Sequence, residues 1–303
     1  MRVLKFGGSS VGDSERIRAV IDIVIESQKK HGPTTVVASA IQGVTDQLVE
    51  ASRSAFRGDR SYEDLLAELQ QRHTSIANDL LGNQADVNSH RFIAQVFLEL
   101  REFIHGIWIL GEITNRTLDF VMSYGEQLSC AIIAEALQRR GFPASYVDGR
   151  TLIQTDLTYG SAQVNFDLTN WNILNHFKNR TDIRVITGFI ARGPGNETTT
   201  LGRGGSDYTA SIIGAALDAD EIEIWTDVDG VMTADPRRVS EAFSLDALSF
   251  EEALELSHFG AKVIHPPTML PALHKRIPIR IRNTFNPAFK GTLISEGPAS
   301  AND

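Results

Sequence analysis

A single cysteine in 303 residues leaves nothing to form an internal disulfide. The fold must therefore be held by its core, and the chain suits a reducing, cytoplasmic compartment. Cys130 is flanked by Ala131, Ile132 and Ile133, which marks it as a buried structural thiol. Long apolar runs are missing too. No stretch approaches the roughly 18 apolar residues of a membrane span, and Lys5 with two following glycines interrupts the N-terminus before any signal-like region develops. Basic clusters are absent: 38 acidic against 29 basic residues give a net charge of −9, which argues against nucleic acid as a partner. There is no internal repeat. What remains is 42% apolar residues, enough to build one large soluble domain or two modest ones.

Strand-like and helix-like segments alternate. Arg2–Phe6 and Thr35–Ser39 read as short buried strands. Between them Ile17, Val20, Ile21, Val24 and Ile25 recur at helical spacing, ending near Gly32. This βαβ opening predicts an α/β fold with a mainly parallel sheet covered by helices. Residues 62–118 read as a mostly helical excursion, interrupted at Leu81–Ser89. Helical periodicity resumes after Glu126 and ends at Gly141. Strands are expected at Ala144–Val147, Ile183–Thr187, Glu221–Trp225 and Ile277–Ile281. Helices are expected at Leu168–Phe177 and Ser206–Leu217, and a capping box of Ser249 and Glu252 opens another. Gly188–Thr200 reads as a flexible loop because of Gly193, Pro194 and Gly195. The tail from Ser295 reads as a linker or frayed end.

Two glycine-rich segments carry the chemistry. In Thr200–Ala210, TLGRGGSDYTA, Gly202, Gly204 and Gly205 let the backbone approach a ligand at the mouth of a helix, where free N–H groups favour an anion. In Lys5–Ser10, KFGGSS, a lysine at a strand end precedes Gly7 and Gly8, which places an ammonium beside backbone donors suited to a phosphate. Neither segment has Walker spacing or the dinucleotide fingerprint. Arg203 is a planar fork suited to a carboxylate or phosphate. Ser206 and Asp207 can cap the helix, and Asp207 can at the same time orient Lys5 across neighbouring strand ends. The acidic turn Thr226–Gly230 follows a strand, is unlike an EF-hand loop, and suits a nucleoside or its hydrated magnesium. Arg237 and Lys262 are further cations for a nucleotide. His265-Pro266-Pro267 reads as a helix start rather than a base. Glu126, in Ser123-Tyr124-Gly125-Glu126, is expected at a helix entrance, where it either meets the helix dipole or receives a substrate ammonium.

Taken in order, KFGGSSV from Lys5, GVTDQL from Gly43, SYGEQLS from Ser123, GFIARG from Gly188, TLGRGGSDYTA from Thr200, TDVDGVMTADPR from Thr226 and FGAKVIHPPTM from Phe259 resemble the catalytic portion of the aspartokinases, in the amino-acid kinase superfamily. The resemblance implies a three-layer αβα sandwich over residues 1–294, containing the helical excursion, with 295–303 as tail and no ACT domain or ACT-type effector site. It implies transfer of the γ-phosphoryl of MgATP to the side-chain carboxylate of L-aspartate, the first step toward lysine, threonine and methionine. Lys5, Gly7 and Gly8 would stabilise the moving phosphoryl, with Asp207 positioning the lysine. Arg203 would clamp the aspartate α-carboxylate and Glu126 its ammonium, while Ser39, Thr45, Phe189 and Ser206 line the pocket. Lys5, Gly7, Gly8, Ser9, Thr226, Asp227, Met232, Arg237 and Lys262 would hold ATP; Met232 replaces a common tyrosine and Ser9 a frequent threonine. Magnesium is expected on ATP oxygens and water, without a protein cage. A homodimer, and fusion to ACT domains or a second pathway enzyme such as homoserine dehydrogenase, stay open at this point. The other readings are a glutamate or N-acetylglutamate kinase, and a non-catalytic ligand-binding regulator of the same fold.

Overall fold

A computed structural model of the chain describes residues 1–82, 88–234, 239, 241–258 and 265–297. Strand β1 (Arg2–Phe6) lies inside the sheet, parallel to β2 (Thr34–Ala38) on one side. Helix α1 (Ser14–His31) joins them. It starts where the Asp13 side chain accepts the Arg16 N–H and stops at Gly32, whose φ of +78° only glycine adopts easily. The chain then forms α2 (Val44–Phe56), α3 (Tyr62–Leu81), α4 (Asn88–Leu110) and α5 (Asn115–Arg139) before it returns to the sheet. Strands β3 (Ala144–Val147) and β4 (Ile183–Thr187) flank helix α6 (Phe166–Phe177) in the sequence.

Beyond β4, a small antiparallel hairpin of β5 (Ile190–Arg192) and β6 (Thr198–Thr200) leads into α7 (Gly205–Ala216). Strand β7 (Glu221–Thr226) follows and pairs in parallel with the free side of β1. Strand β8 (Ala247–Ser249), α8 (Phe250–His258), α9 (Pro266–His274), β9 (Ile279–Asn283) and β10 (Thr292–Ser295) complete the described elements. The sheet order is β3-β4-β2-β1-β7-β9-β10-β8, parallel throughout except for β9 against β10.

Strand alternation divides the core into two layers. Leu4, Phe6, Val36, Ala38 and Trp225 pack under α1 to α5. Val3, Val37, Ile186, Ile222 and Ile224 face the other way, toward α6 to α9. The fold is therefore the expected αβα sandwich. Ionic cross-links help fix its register: Arg2 reaches Glu223 at 2.5 Å, and Arg280 reaches Glu221 at 3.1 Å. Arg282 stacks over the Trp225 ring, 4.4 Å from its centroid.

Two expectations are corrected. Glu126 does not stand at a helix entrance but in the middle of α5, which starts eleven residues earlier at Asn115 (126 − 115 = 11). Gly125 is there for packing: a Cβ on it would lie 2.7 Å from the Ala40 Cβ. The dipole reading of Glu126 therefore fails. Gly188–Thr200 is not a loop throughout, since its two ends pair as the β5–β6 hairpin around a turn in which Gly193 N–H donates to the Glu197 carbonyl at 2.8 Å. Other expected segments hold with small shifts; β2 runs Thr34–Ala38 and β9 runs Ile279–Asn283. The capping box is present, with the Ser249 N–H donating to Glu252 and the Glu252 N–H to Ser249 Oγ. No helix among the described residues is long and apolar enough to cross a membrane.

Candidate active site

Parallel α/β sheets leave a crevice beyond the carboxyl ends of their strands, where the chain departs to opposite faces. Here β1 is followed by α1 on one face, and α7 lies on the other. Lys5 alternates with Leu4 and Phe6, so its side chain leaves β1 on the α7 side. There the Nζ meets Asp207 Oδ1 at 2.6 Å, with the lysine side chain only 11% exposed. Asp207 sits in the first turn of α7, which Gly204 opens with a φ of +72°. The ion pair thus joins the end of a central strand to the start of a helix 202 positions later (207 − 5 = 202), as the sequence suggested.

Gly7 and Gly8 continue from Lys5. The Gly7 N–H donates to the Trp225 carbonyl at 3.3 Å, and a Cβ on Gly7 would lie 3.5 Å from Lys5 Nζ. A Cβ on Gly8 would come within 3.0 Å of the Ala40 carbonyl oxygen. The two glycines therefore keep backbone exposed between the lysine and the β2–α2 loop, a fit for phosphate oxygens. Ser9 follows, half-buried, its carbonyl accepting from Arg16 at 2.9 Å.

A cleft of about 260 Å³ opens beside the ion pair. Lys5, Ser39, Thr45, Glu126, Phe189, Ser206 and Asp207 all line it, with Gly202, Gly204 and Gly205. Seven expected site residues thus meet in one place. Ser39 Oγ donates to Ser206 Oγ at 3.0 Å, closing the floor between β2 and α7. Gly188 allows this approach, because a Cβ there would lie 2.6 Å from the Ser206 Cβ. Phe189 holds an unusual backbone with φ of +68°. Its N–H donates to Thr209 Oγ1 and its carbonyl accepts the Leu201 N–H, so both neighbours enforce the conformation.

Glu126 is the carboxyl group at the far wall, 3% exposed. One oxygen accepts the Ala40 N–H at 3.2 Å, and Oε2 has no hydrogen-bond partner among the described residues. Burial pushes its carboxyl up to about 8 from the ordinary 4.5. Glu126 lines the cleft, and a buried carboxylate oxygen without a donor there is a socket for a cation. Arg203 stands exposed between Gly202 and Gly204 and is not among the residues lining the cleft.

The expected nucleotide residues lie at the end of β7. Thr226 is its last residue, and its Oγ1 donates to Asp227 Oδ1 at 3.2 Å. Asp227 is exposed, whereas Asp229 is occupied by Asn283 and Asn286, which both donate to its Oδ1 at 2.9 and 3.1 Å. Met232 is half-buried and bridges to Ser244. Arg237 and Lys262 lie outside the described residues. Among those described, no group of three His, Cys, Asp or Glu converges as a metal site.

The structure also shows supporting residues that the sequence did not disclose. Arg72 of α3 donates to the Gly12 carbonyl at 3.0 Å and the Gln42 carbonyl at 2.9 Å, tying together the loops after β1 and β2. Arg16 joins the Ser9 carbonyl to the Gln42 side-chain oxygen. Ser10 Oγ lies 2.7 Å from Thr284 Oγ1, linking the glycine loop to the end of β9. Most of these partners lie far apart in the chain and leave no local signal, so only the fold could reveal them.

Comparison with known proteins agrees with this geometry. A profile of the amino acid kinase family matches residues 1–283. Over 306 residues the chain is 41% identical to a chloroplastic bifunctional aspartokinase/homoserine dehydrogenase 1 of Zea mays, covering 99% of this chain and 33% of that protein. It is 34% identical to the aspartokinase of Schizosaccharomyces pombe, covering 96% of this chain and 58% of that one. The chain thus spans about a third of the length of the plant bifunctional relative. The crystal structure of E. coli aspartokinase III with aspartate and ADP, in the R-state, superposes with a TM-score of 0.91 at 31% identity, over 99% of this chain and 65% of that one. The T-state of the same enzyme, with lysine and aspartate, gives 0.82 over 99% and 66%. With the sandwich, the glycine-rich strand ends and the shared cleft all in place, the chain belongs to the amino acid kinase family and, within it, to the aspartokinases.

Proposed function

We propose that this chain transfers the γ-phosphoryl of MgATP to the side-chain carboxylate of L-aspartate, giving 4-phospho-L-aspartate. The observation that carries the reading is the cleft itself, where the Lys5–Asp207 pair and Glu126, one oxygen of which is unpartnered, line one volume of about 260 Å³. An amino acid whose ammonium sits on Glu126 has its side chain free to extend toward Lys5. A carboxylate is already ionised at neutral pH, so attack on phosphorus needs no general base. The work left to the protein is alignment and charge neutralisation.

Lys5, held by Asp207, offers its ammonium to the moving phosphoryl, and the Gly8 amide is the backbone donor beside it, since the Gly7 N–H is engaged with the Trp225 carbonyl. Arg203, exposed on the glycine loop, is the cation for the α-carboxylate once it turns inward. Ser39, Thr45, Phe189 and Ser206 shape the pocket. Thr226, Asp227, Met232 and Ser9 belong to the nucleotide side, with Arg237 and Lys262 assigned there by the family resemblance. Magnesium supplies charge neutralisation and alignment of the phosphate oxygens when bound with the nucleotide. The pathway role is the first step toward lysine, threonine and methionine, and the domain unit is residues 1–294. In a protein built like the plant relative, this chain would be the kinase portion.

The test is phosphate transfer from ATP to aspartate, trapped as the hydroxamate with hydroxylamine. Aspartate, glutamate and N-acetylglutamate are offered in competition. Hydroxamate from aspartate alone is expected. Preference for the N-acetylated substrate would overturn the role of Glu126, since an amide has no charge to give that carboxylate.

A further inference from the structure

We propose that Asp119 is a positioning residue, which holds the corner from which Arg203 projects and so sets the α-carboxylate end of the substrate pocket against the ammonium end. The inference rests on the functional reading above and deepens it.

Asp119 lies on α5, seven residues before Glu126 (126 − 119 = 7), so two helical turns separate residues on the same side of one helix. It is 1% exposed. Its Oδ2 accepts the Gly160 N–H at 2.9 Å and the Thr200 N–H at 3.0 Å, and its Oδ1 accepts the Thr200 hydroxyl at 2.8 Å. An ionised carboxylate at this depth is tolerated only when donors surround it, and here three do. Two of the three come from Thr200, the last residue of β6, three positions before Arg203 (203 − 200 = 3).

The geometry around Thr200 shows what is being held. Its carbonyl accepts the Ala162 N–H at 2.9 Å, and the next residue, Leu201, donates to the Phe189 carbonyl at 2.9 Å. Gly202 then turns with φ of +74° against the segment that Asp119 also secures: a Cβ on Gly202 would lie 3.0 Å from the Gly160 carbonyl oxygen. Asp119 therefore fixes both sides of the corner, the Gly160 turn and the end of β6. An amide of the same size keeps one oxygen for the two N–H bonds at Oδ2 but puts a donor at Oδ1, which forces the Thr200 hydroxyl to accept, and it removes the charge that strengthens all three bonds. Helix α5 thereby carries two features of the pocket: Glu126 faces the ammonium directly, and Asp119 acts on the carboxylate end through the loop. The two charged ends of any α-amino acid are joined to one carbon, so a fixed spacing between their receivers is a recognition device.

The experiment uses the full chain, with D119N and T200V each measured against the wild type. T200V removes only the hydroxyl bond and serves where D119N fails to fold. Both variants are expected to raise KM for aspartate, D119N by about tenfold or more, with KM for ATP within about twofold. Combining D119N with R203A is expected to give no further rise beyond R203A alone, because both act through one contact. Hydrogen exchange should speed up in residues 158–162 and 199–205 and stay unchanged elsewhere. Equal shifts in both KM values, or full additivity with R203A, would overturn the proposal and leave a general stabilising role. If the wild type fails to phosphorylate aspartate, the functional reading falls. Hydrogen exchange then decides about the corner alone, with unchanged rates in D119N and T200V refuting it.

Discussion

Lys5 and Glu126 are two titratable groups at opposite ends of the cleft, and each makes a separate prediction. Lys5→Ala is expected to lower kcat by ~10²–10³ with KM for aspartate little changed, since the ammonium acts on charge that develops in the transition state. Steady-state kinetics decide this, and unchanged turnover would remove the role. Glu126 speaks through pH. Its folded carboxyl is raised to about 8 from 4.5 by burial, so between these values the folded state keeps a proton that the unfolded chain has lost. Stability therefore falls as pH rises through that window. Glu126→Gln, free of this term, is expected to gain stability over the wild type by a margin that widens from about pH 5 to pH 8 in ligand-free melts. A margin independent of pH would contradict the burial argument. An ammonium on Oε2 favours the carboxylate, so aspartate binding near neutral pH should release up to about one proton, measurable by calorimetry in buffers of different ionisation enthalpy.

Helix α5 brings Glu126 to the cleft only because Gly125 lets the helix close onto the β2–α2 loop, a Cβ there lying 2.7 Å from the Ala40 Cβ. Gly125→Ala gains helix propensity but forces Ala40 away, and overpacking of this kind costs about 1–3 kcal/mol. A lower melting temperature together with a raised KM for aspartate is expected; a more stable variant with normal kinetics would show that the contact yields freely. The same glycine explains why the sequence misplaced the helix start. In a one-dimensional reading Gly125 looks like a boundary, whereas its reason lies across the fold at Ala40. The β5–β6 hairpin was hidden for a similar cause. Its strands are three residues long, too short for alternation to register, and Gly193, Pro194 and Gly195 outweigh them locally. By contrast β1, β3 and β4 were legible to the residue, because buried apolar runs bounded by turn residues leave little choice. That Lys5, Ser206 and Asp207 meet at one cleft was legible as well, since glycine beside a charged residue at a strand or helix end suits an anion site. Arg72 and Asp119 were not, because what they hold is backbone remote in sequence.

Across the molecule the two core layers meet through the sheet, and Cys130 lies between α5 and the strands. Its thiol points at the Ile186 carbonyl, 3.4 Å away, and the Ala38 carbonyl, 3.7 Å away. Burial pushes the thiol far above its ordinary range. It should therefore react with a disulfide reagent only when the sandwich opens, at a rate set by global unfolding rather than by local fluctuation. Saturating aspartate and a non-hydrolysable ATP analogue should slow that reaction further, since ligands that bind only the folded state stabilise it. Rapid labelling of the native chain would mean that α5 peels away on its own. One more consequence follows from the place of β1. Bonded to β2 on one side and β7 on the other, it gives the Lys5 ammonium a base that cannot travel. On the proposed reading, substrate and nucleotide come to that ammonium, and whatever moves during turnover moves relative to it.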